Sequence, residues 1–213
     1  MIRGYGETSK TRQDASPNAS PTCTAAVRPS DWLYELKLDG FRALAHVQGG
    51  RCELISRNGS QLNGFQPLCD AIAEELGPVS AILDGEIVCL HQKDGRSIFN
   101  DLFYRRTDPY FYAFDLLLLD GTDWRSRPLV RRKEQLAKLI PMNGRLRYLG
   151  HIDGVGSEFF RLCCKMDLEG VVAKLKTAPY VHAREASTWV KIKNPHYTQA
   201  EGRREIFHGT GNF

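Results

Sequence analysis

A run of large apolar residues, interrupted only by Asp115, extends from Phe114 to Leu119 and ends at Asp120-Gly121. A short apolar run that stops at a turn signal is typical of a buried strand. Six other segments also have strand character, and fewer segments with helical spacing separate them. The predicted strands lie near residues 33–39, 43–48, 52–56, 81–90, 110–119, 170–176 and 187–193. The pattern therefore predicts a domain that combines sheets with a few helices.

Three segments carry apolar residues at the three- or four-residue spacing of one helix face. Gly77-Pro78 is a stop signal after the first of them, and Pro128 stands in the first turn of the second, as is common in helices. The predicted helices are the segment that contains Phe65, Leu68, Ile72 and Leu76, the segment 128–140 and the segment 157–166.

The composition restricts the class of protein. The chain has 213 residues, of which 42% are hydrophobic, enough for a packed core. No segment approaches the roughly 18 apolar residues of a membrane span, and the first residues lack the apolar stretch of a signal peptide. The six cysteines show neither a C-x-x-C pair nor zinc-type spacing with histidine. We therefore expect a cytoplasmic, monomeric globular protein with reduced cysteines and no membrane partner.

The net charge is only +4, but basic residues are concentrated in one short stretch. These residues are Arg125, Arg127, Arg131, Arg132 and Lys133. Such a cluster can contact the phosphates of a nucleic acid, or it can be the solvated face of a helix. The sequence leaves both interpretations open.

The segment ELKLDGFR, residues 35–42, places one lysine among carboxylates and an arginine where a predicted strand meets a turn. Successive side chains of an extended segment point to opposite faces. The predicted reactive face carries Glu35, Lys37 and Asp39, and the predicted packed face carries Tyr34, Leu36 and Leu38. This arrangement suits covalent nucleotide chemistry, and the alternative is an edge strand whose charges face water.

Five more short motifs follow in the chain. They are SRNG at 56–59, LDGEIV at 83–88, FYAFD at 111–115, EGVVAK at 169–174 and WVKIK at 189–193. With ELKLDGFR they resemble, in order, motifs I, Ia, III, IIIa, IV and V of the ATP-dependent DNA ligases, which belong to the lysine-nucleotidyltransferase superfamily. The resemblance runs from about Asp31 to about Phe207, and it is closest to small bacterial ligases and to the ligase domains of bacterial end-joining proteins.

The resemblance implies an α+β fold, namely an ATP-grasp-like nucleotidyltransferase domain of antiparallel sheets flanked by helices. It also implies ATP and Mg²⁺ as cofactors, nicked or broken DNA as the partner, and a lysyl-AMP intermediate on Lys37. The implied nucleotide-binding residues are Glu35, Arg42, Arg57, Glu86, Phe114, Lys191 and Lys193, and the implied metal ligands are Glu86 and Glu169. The alternatives are an RNA ligase and a nick- or end-binding repair module with impaired catalysis.

The proposed nucleophile has a chemical requirement that its neighbours can meet. A lysine attacks the α-phosphorus of a nucleotide only as a neutral amine, so desolvation and nearby cations must disfavour its ammonium form. By the resemblance, Arg42, Lys191, Lys193 and Mg²⁺ supply those cations near Lys37.

The motif WVKIK predicts a strand with two different faces. Trp189, Lys191 and Lys193 share one face and point both ammonium groups toward the phosphates, while Val190 and Ile192 enter the core. The alternative for the two lysines is an exposed edge strand whose charges prevent aggregation.

Four other implied site residues also have structural alternatives. Glu86 and Glu169 lie beside apolar β-branched residues, where a buried carboxylate needs a partner, which is either the metal assembly or a structural cation. Phe114 either stacks on adenine or packs in the core. Arg57 either contacts phosphates at a nick or forms a basic hairpin tip.

The choice of base follows from the chemistry of Glu35. A carboxylate only accepts hydrogen bonds, and adenine presents the N6 amine as a donor where guanine presents the O6 acceptor. We therefore expect a preference for ATP over GTP.

The ends of the chain have their own predictions. Residues 1–30 are rich in Ser, Thr, Pro and Asn, so they are predicted to form a flexible arm, and residues 31–194 form the adenylation domain. Only 20 residues, 194–213, follow Lys193, too few for the five strands of the OB-fold found in typical relatives. The tail at 195–213 is therefore expected to lack that domain, whose role a separate OB-fold or end-joining protein could fill.

Overall fold

The computed structural model describes residues 28–181 and 188–200, which contain ten strands and four α-helices. The strands are β1 (Trp32–Leu36), β2 (Phe41–Gln48), β3 (Arg51–Ser56), β4 (Ala81–Val88), β5 (Tyr110–Leu119), β6 (Thr122–Asp123), β7 (Leu146–Tyr148), β8 (Ile152–Asp153), β9 (Gly170–Leu175) and β10 (Trp189–Lys193). The helices are α1 (Gln66–Leu76), α2 (Phe99–Phe103), α3 (Leu129–Leu139) and α4 (Gly156–Lys165). Residues 1–27 of the predicted arm and residues 201–213 of the predicted tail lie outside the described residues.

The strands form two sheets that are mainly antiparallel. The larger sheet has the order β3-β2-β4-β5-β6, and β7 joins it parallel to β5. The smaller sheet has the order β10-β9-β1-β8, and all its pairs are antiparallel. The predicted α+β class, antiparallel sheets flanked by helices, is confirmed.

Each of the seven predicted strands and three predicted helices corresponds to an observed element. Helix α1 buries Leu68, Ile72 and Leu76 and packs mainly against β3 of the larger sheet. Gly77 follows its last residue with a φ of 60°, a conformation that glycine adopts without steric conflict. Helix α2 and the short strands β6, β7 and β8 were not predicted, because elements of two to five residues have no readable period.

The predicted buried strand is β5, in the interior of the larger sheet. Leu116 and Leu117 point to opposite faces, and both are buried. Helix α3 packs against β5 on one side. Among the described residues, no helix is long and apolar enough to cross a membrane.

Helix α3 buries two members of the basic cluster. Arg132 is fully buried and donates to Asp115, with Nε–Oδ1 at 2.7 Å and Nη2–Oδ2 at 2.9 Å. It also donates to the carbonyl of Ala178, which follows β9, at 3.0 Å. Lys133 is buried against Glu35. The cluster is therefore neither a single phosphate-binding surface nor a single solvated face, because interior carboxylates require these two cations.

Replacing Arg132 with methionine should lower the free energy of unfolding by about 3–5 kcal/mol, because Asp115 would keep a buried charge without its main partner. Arg131 offers a matched control, since it is the preceding residue of α3, is exposed and pairs with Glu134 at the surface. An exposed ion pair contributes little, so Arg131→Met should unfold close to the parent chain. Urea denaturation followed by circular dichroism compares the two, and equal losses would contradict the role assigned to Arg132.

Candidate active site

A cavity of about 480 Å³ is lined by residues of both sheets. Its walls include seven of the predicted site residues, namely Glu35, Lys37, Arg42, Arg57, Glu86, Phe114 and Lys191. These residues are separated by as many as 156 positions, from 35 to 191. Residues so far apart in the sequence are brought together only by the fold.

Lys37 directly follows the last residue of β1. Its backbone N–H donates to the carbonyl of Gly170 at 2.9 Å, and its Nζ lies 2.5 Å from Oε1 of Glu169. The two side chains are only 15% and 10% exposed. A side chain at Gly170 would collide with the carbonyl of Ile192, so the glycine after Glu169 permits this close packing. The structure thus joins the predicted nucleophile and a predicted metal ligand in one ion pair.

The alternation predicted for the lysine segment is only partly observed. The more buried face of β1 carries Leu33 and Glu35, whereas Tyr34 and Leu36 on the opposite face are half-buried. The Tyr34 ring lies against Gly156 at the start of α4. Both faces of the strand are covered, because α4 packs on one side and the cavity wall forms the other.

Arg42 on β2 is held in place by a buried acid. Its guanidinium donates to both oxygens of Asp84, at 3.0 and 2.6 Å, and the Tyr180 hydroxyl donates to the same carboxylate at 2.9 Å. The guanidinium carbon also lies 5.0 Å from the centroid of the Trp189 ring, within the range of cation–π attraction. Because the Arg42 side chain stays 33% exposed, it presents a fixed positive charge to the cavity.

Glu86 lines the same cavity and pairs with Arg42 across β4 and β2. Burial raises the pKa of the Glu86 carboxyl to about 8, although the charges of Lys37 and Arg42 act in the opposite direction. The ionised form of Glu86 therefore requires additional positive charge in the cavity at neutral pH.

The two lysines of the WVKIK motif occupy different environments. Lys191 lines the cavity, and desolvation together with the charges of Lys37 and Arg42 lowers the pKa of its amine. Lys193 is exposed and is not part of the cavity wall. Two further residues along a strand displace a side chain by about 6–7 Å, which carries Lys193 past the cavity.

The prediction that Val190 and Ile192 enter the core is wrong. They are 50% and 37% exposed. Their strand, β10, is the terminal strand of the smaller sheet within the described residues, and helix α4 packs mainly against β9 and β1. The helix therefore covers the inner strands and leaves this apolar face at the surface.

Glu35 is fully buried, and each of its oxygens has a lysine partner. The Nζ of Lys133 is hydrogen-bonded to Oε1, and the Nζ of Lys174 lies 2.7 Å from Oε2. Burial disfavours the ionised carboxylate, but Lys174 and Lys133 together hold the pKa of Glu35 below its usual range. Glu35 is thus a charged hydrogen-bond acceptor in the cavity wall.

Phe114 lines the cavity and is 8% exposed. Its ring makes an edge-to-face contact with Trp189 at a centroid distance of 5.6 Å, and the Nζ of Lys174 lies 4.2 Å from its centroid. Core packing and contact with a ligand are compatible at this position, since the ring is both packed and accessible from the cavity.

Sequence reasoning did not place Lys133, Lys174 or Tyr180 among the site residues. Two of them carried a signal. Lys133 lies four positions after Leu129 and three before Leu136, so it falls on the buried stripe of α3, and Lys174 stands in an otherwise apolar strand. A charge at a buried periodic position predicts a buried partner. Tyr180 lies beyond β9 without any periodic context, so nothing in the sequence connected it with Arg42.

Comparison with known proteins places these features in a family. The model of the ATP dependent DNA ligase domain matches residues 15–193. The multifunctional non-homologous end joining protein LigD of Mycobacterium bovis is 33% identical over 172 residues, which cover 80% of this chain and 22% of that protein. The DNA ligase of Pyrobaculum calidifontis is 28% identical over 201 residues, which cover 84% of this chain and 34% of the relative.

Solved structures show the same similarity. The ligase domain of LigD from M. tuberculosis has a TM-score of 0.70 and 32% identity, covering 78% of this chain and 56% of that one. Mycobacterial DNA ligase D complexed with ATP and MES has a TM-score of 0.69 and 32% identity, covering 82% and 58%. This chain spans about a fifth of the length of the M. bovis LigD protein and about a third of the length of the P. calidifontis ligase. Because the family model covers most of the chain, the chain belongs to the family of ATP-dependent DNA ligase domains.

Proposed function

We propose that residues 31–194 form the adenylation domain of an ATP-dependent DNA ligase. Lys37 takes AMP from ATP as lysyl-AMP and passes it to a 5′-phosphate end during nick sealing in DNA repair. The observation that carries this proposal is the convergence of Lys37, two cationic side chains, Arg42 and Lys191, and the carboxyl group of Glu86 on one cavity. The names of the DNA ligase relatives support the same chemistry.

In the first step, Nζ of Lys37 forms a bond to the α-phosphorus while the bond from that phosphorus to the bridging oxygen breaks, and pyrophosphate leaves. The attack requires the neutral amine of Lys37, and the cationic side chains of Arg42 and Lys191 line the same cavity. The same two cations stabilise the negative charge that develops on the phosphate oxygens. Arg42 is suited to this role because Asp84 fixes its position.

Glu86 and Glu169 fit a site for Mg²⁺ that is completed by phosphate oxygens. In the part of the chain that the structure describes, no group of three or more His, Cys, Asp or Glu side chains could hold a metal alone. Mg²⁺, however, is commonly bound by one or two carboxylates with waters and substrate phosphates. Glu86 and Glu169 would hold the ion, which would supply the positive charge that Glu86 needs because burial disfavours its ionised form.

We further propose that the partner of this domain is nicked or broken DNA, with Arg57 among its phosphate contacts, and that the protein acts as a monomer in the cytoplasm. Phe114 supplies a stacking surface for adenine, and Glu35 accepts a hydrogen bond from its N6 amine. A separate OB-fold or end-joining protein is a partner of the same proposal, since several relatives are named as end-joining proteins.

Incubating the chain with ATP and magnesium should add one AMP to Lys37, and Lys37→Ala should abolish the adduct without unfolding the protein. Intact-mass spectrometry detects the adduct, and circular dichroism checks the fold. Lys165→Ala is the control, because Lys165 is an exposed lysine at the end of α4, and it should retain the adduct. An AMP adduct that persists in Lys37→Ala would refute the assignment, and a folded parent chain without any adduct would favour the end-binding alternative.

Glu86→Gln should weaken the pH dependence of stability. The pKa of Glu86 is raised from an ordinary value of 4.5 to about 8, so between these values the folded chain holds a proton that the unfolded chain releases. The free energy of unfolding of the parent should therefore fall as the pH rises through this interval, whereas a glutamine stays neutral throughout. Urea unfolding at pH 5 and pH 8 in metal-free buffer measures both slopes, and identical slopes would be incompatible with a buried, protonated Glu86.

A further inference from the structure

Lys133 and Lys174 hold the Glu35 carboxylate in different ways. The Nζ of Lys133 is hydrogen-bonded to Oε1 of Glu35 and also lies 3.0 Å from the carbonyl oxygen of Leu149 and 3.4 Å from that of Phe114. An ammonium group has three N–H donors, so the protein itself occupies all of them. Lys133 is 1% exposed and is not part of the cavity wall.

Lys174 is the contrasting partner, because it lines the cavity. Its Nζ lies 2.7 Å from Oε2 of Glu35, close enough for an ion pair, but without the alignment of a hydrogen bond. The same atom lies 4.2 Å from the ring centroid of Phe114 and 4.0 Å from that of Trp189. The ion-pair distance indicates attraction, but Lys174 lacks the two backbone carbonyl contacts that hold Lys133 in place.

We propose that Lys133 is the positioning residue for base selection, because it fixes the Glu35 carboxylate so that it accepts a hydrogen bond from the 6-amino group of a purine. This inference rests on the proposed function, in which Glu35 faces the base. Lys133 touches no ligand and acts only through its protein partners.

The geometry explains why Lys133 has this role. A glutamate carboxylate rotates readily about its terminal bond, and its acceptor directions rotate with it. Lys133 holds Oε1 from helix α3, and Lys174 lies beside Oε2 from strand β9, so the two lysines prevent that rotation. Each oxygen retains a second lone pair for a ligand.

Lys133 also contacts the backbone of the residue that would stack on the face of the base. Its ammonium lies 3.4 Å from the backbone carbonyl of Phe114, whose ring lines the cavity. The ring itself is held by its edge-to-face contact with Trp189, so the stacking surface does not depend on Lys133.

The test compares two ligands that differ only in the 6-amino group, AMP and purine riboside 5′-monophosphate, by isothermal titration calorimetry. The parent chain should prefer AMP by about tenfold or more, as expected for a hydrogen bond to a charged acceptor. Lys133→Met should weaken AMP binding by about the same factor and leave purine riboside monophosphate unchanged, so the preference disappears. A purely structural role for Lys133 would weaken both ligands equally, and that result would overturn the inference.

Lys138→Met is the matched control, because Lys138 is an exposed lysine of the same helix. This variant should prefer AMP over purine riboside 5′-monophosphate by the same factor as the parent chain. Equal binding of the two ligands by the parent, or binding of neither, would also overturn the inference. A parent that prefers AMP but forms no lysyl-AMP from ATP would refute the proposed function and leave this inference standing.

A second variant guards against the loss of folding in Lys133→Met, where Glu35 would lose one of its two partners. The double variant Glu35→Gln with Lys133→Met removes the carboxylate together with this partner, and circular dichroism checks that each variant is folded before its ligand binding is compared. The preference of the double variant between the two ligands should equal that of Glu35→Gln alone, because Lys133 acts through Glu35. An additional loss of preference in the double variant would show that Lys133 acts by another route and would overturn the inference.

Discussion

The structure depends on the pairing of two fully buried carboxylates with two consecutive cations of helix α3. Arg132 binds Asp115 of the larger sheet, and Lys133 binds Glu35 of the smaller sheet. Breaking a buried ion pair leaves an uncompensated charge and costs about 3–5 kcal/mol. A shift of α3 by one residue would misplace both cations at once, so the two pairs fix the position of the helix relative to both sheets.

Buried partners also hold the charged side chains of the candidate active site. Glu35 forms part of the cavity wall while its charge is balanced from behind by Lys133. Arg42 is oriented by Asp84, which is itself buried and accepts a hydrogen bond from Tyr180. In each case a fully buried partner holds the side chain that reaches the cavity. Groups held in this way need little reorganisation when charge develops in a reaction.

The regular elements and most of the site could be predicted from the sequence, because periodicity and short motifs are local properties. The α3 helix was predicted from its apolar spacing, and seven of the predicted site residues line one cavity. The contacts that hold these residues could not be predicted in the same way. The pair of Lys133 with Glu35 spans 98 positions. The sequence alone does not show that Arg132 has a buried carboxylate partner whereas Arg131 has an exposed one. The exposure of Val190 depended likewise on how far helix α4 extends over the sheet.

The ion pair between Lys37 and Glu169 differs from these structural pairs in a way that suits a reactive lysine. Its side chains are 15% and 10% exposed, whereas those of Lys133 and Glu35 are 1% and 2% exposed. Water access lowers the free energy required to separate two charges. A lysine sealed like Lys133 would have to leave a fully buried partner before it could act as a nucleophile, and that separation would add to the barrier of the reaction. The chain therefore places its sealed pair of Lys133 with Glu35 behind the wall that would recognise the base, and a more exposed pair at Lys37, where the proposed phosphate chemistry would occur.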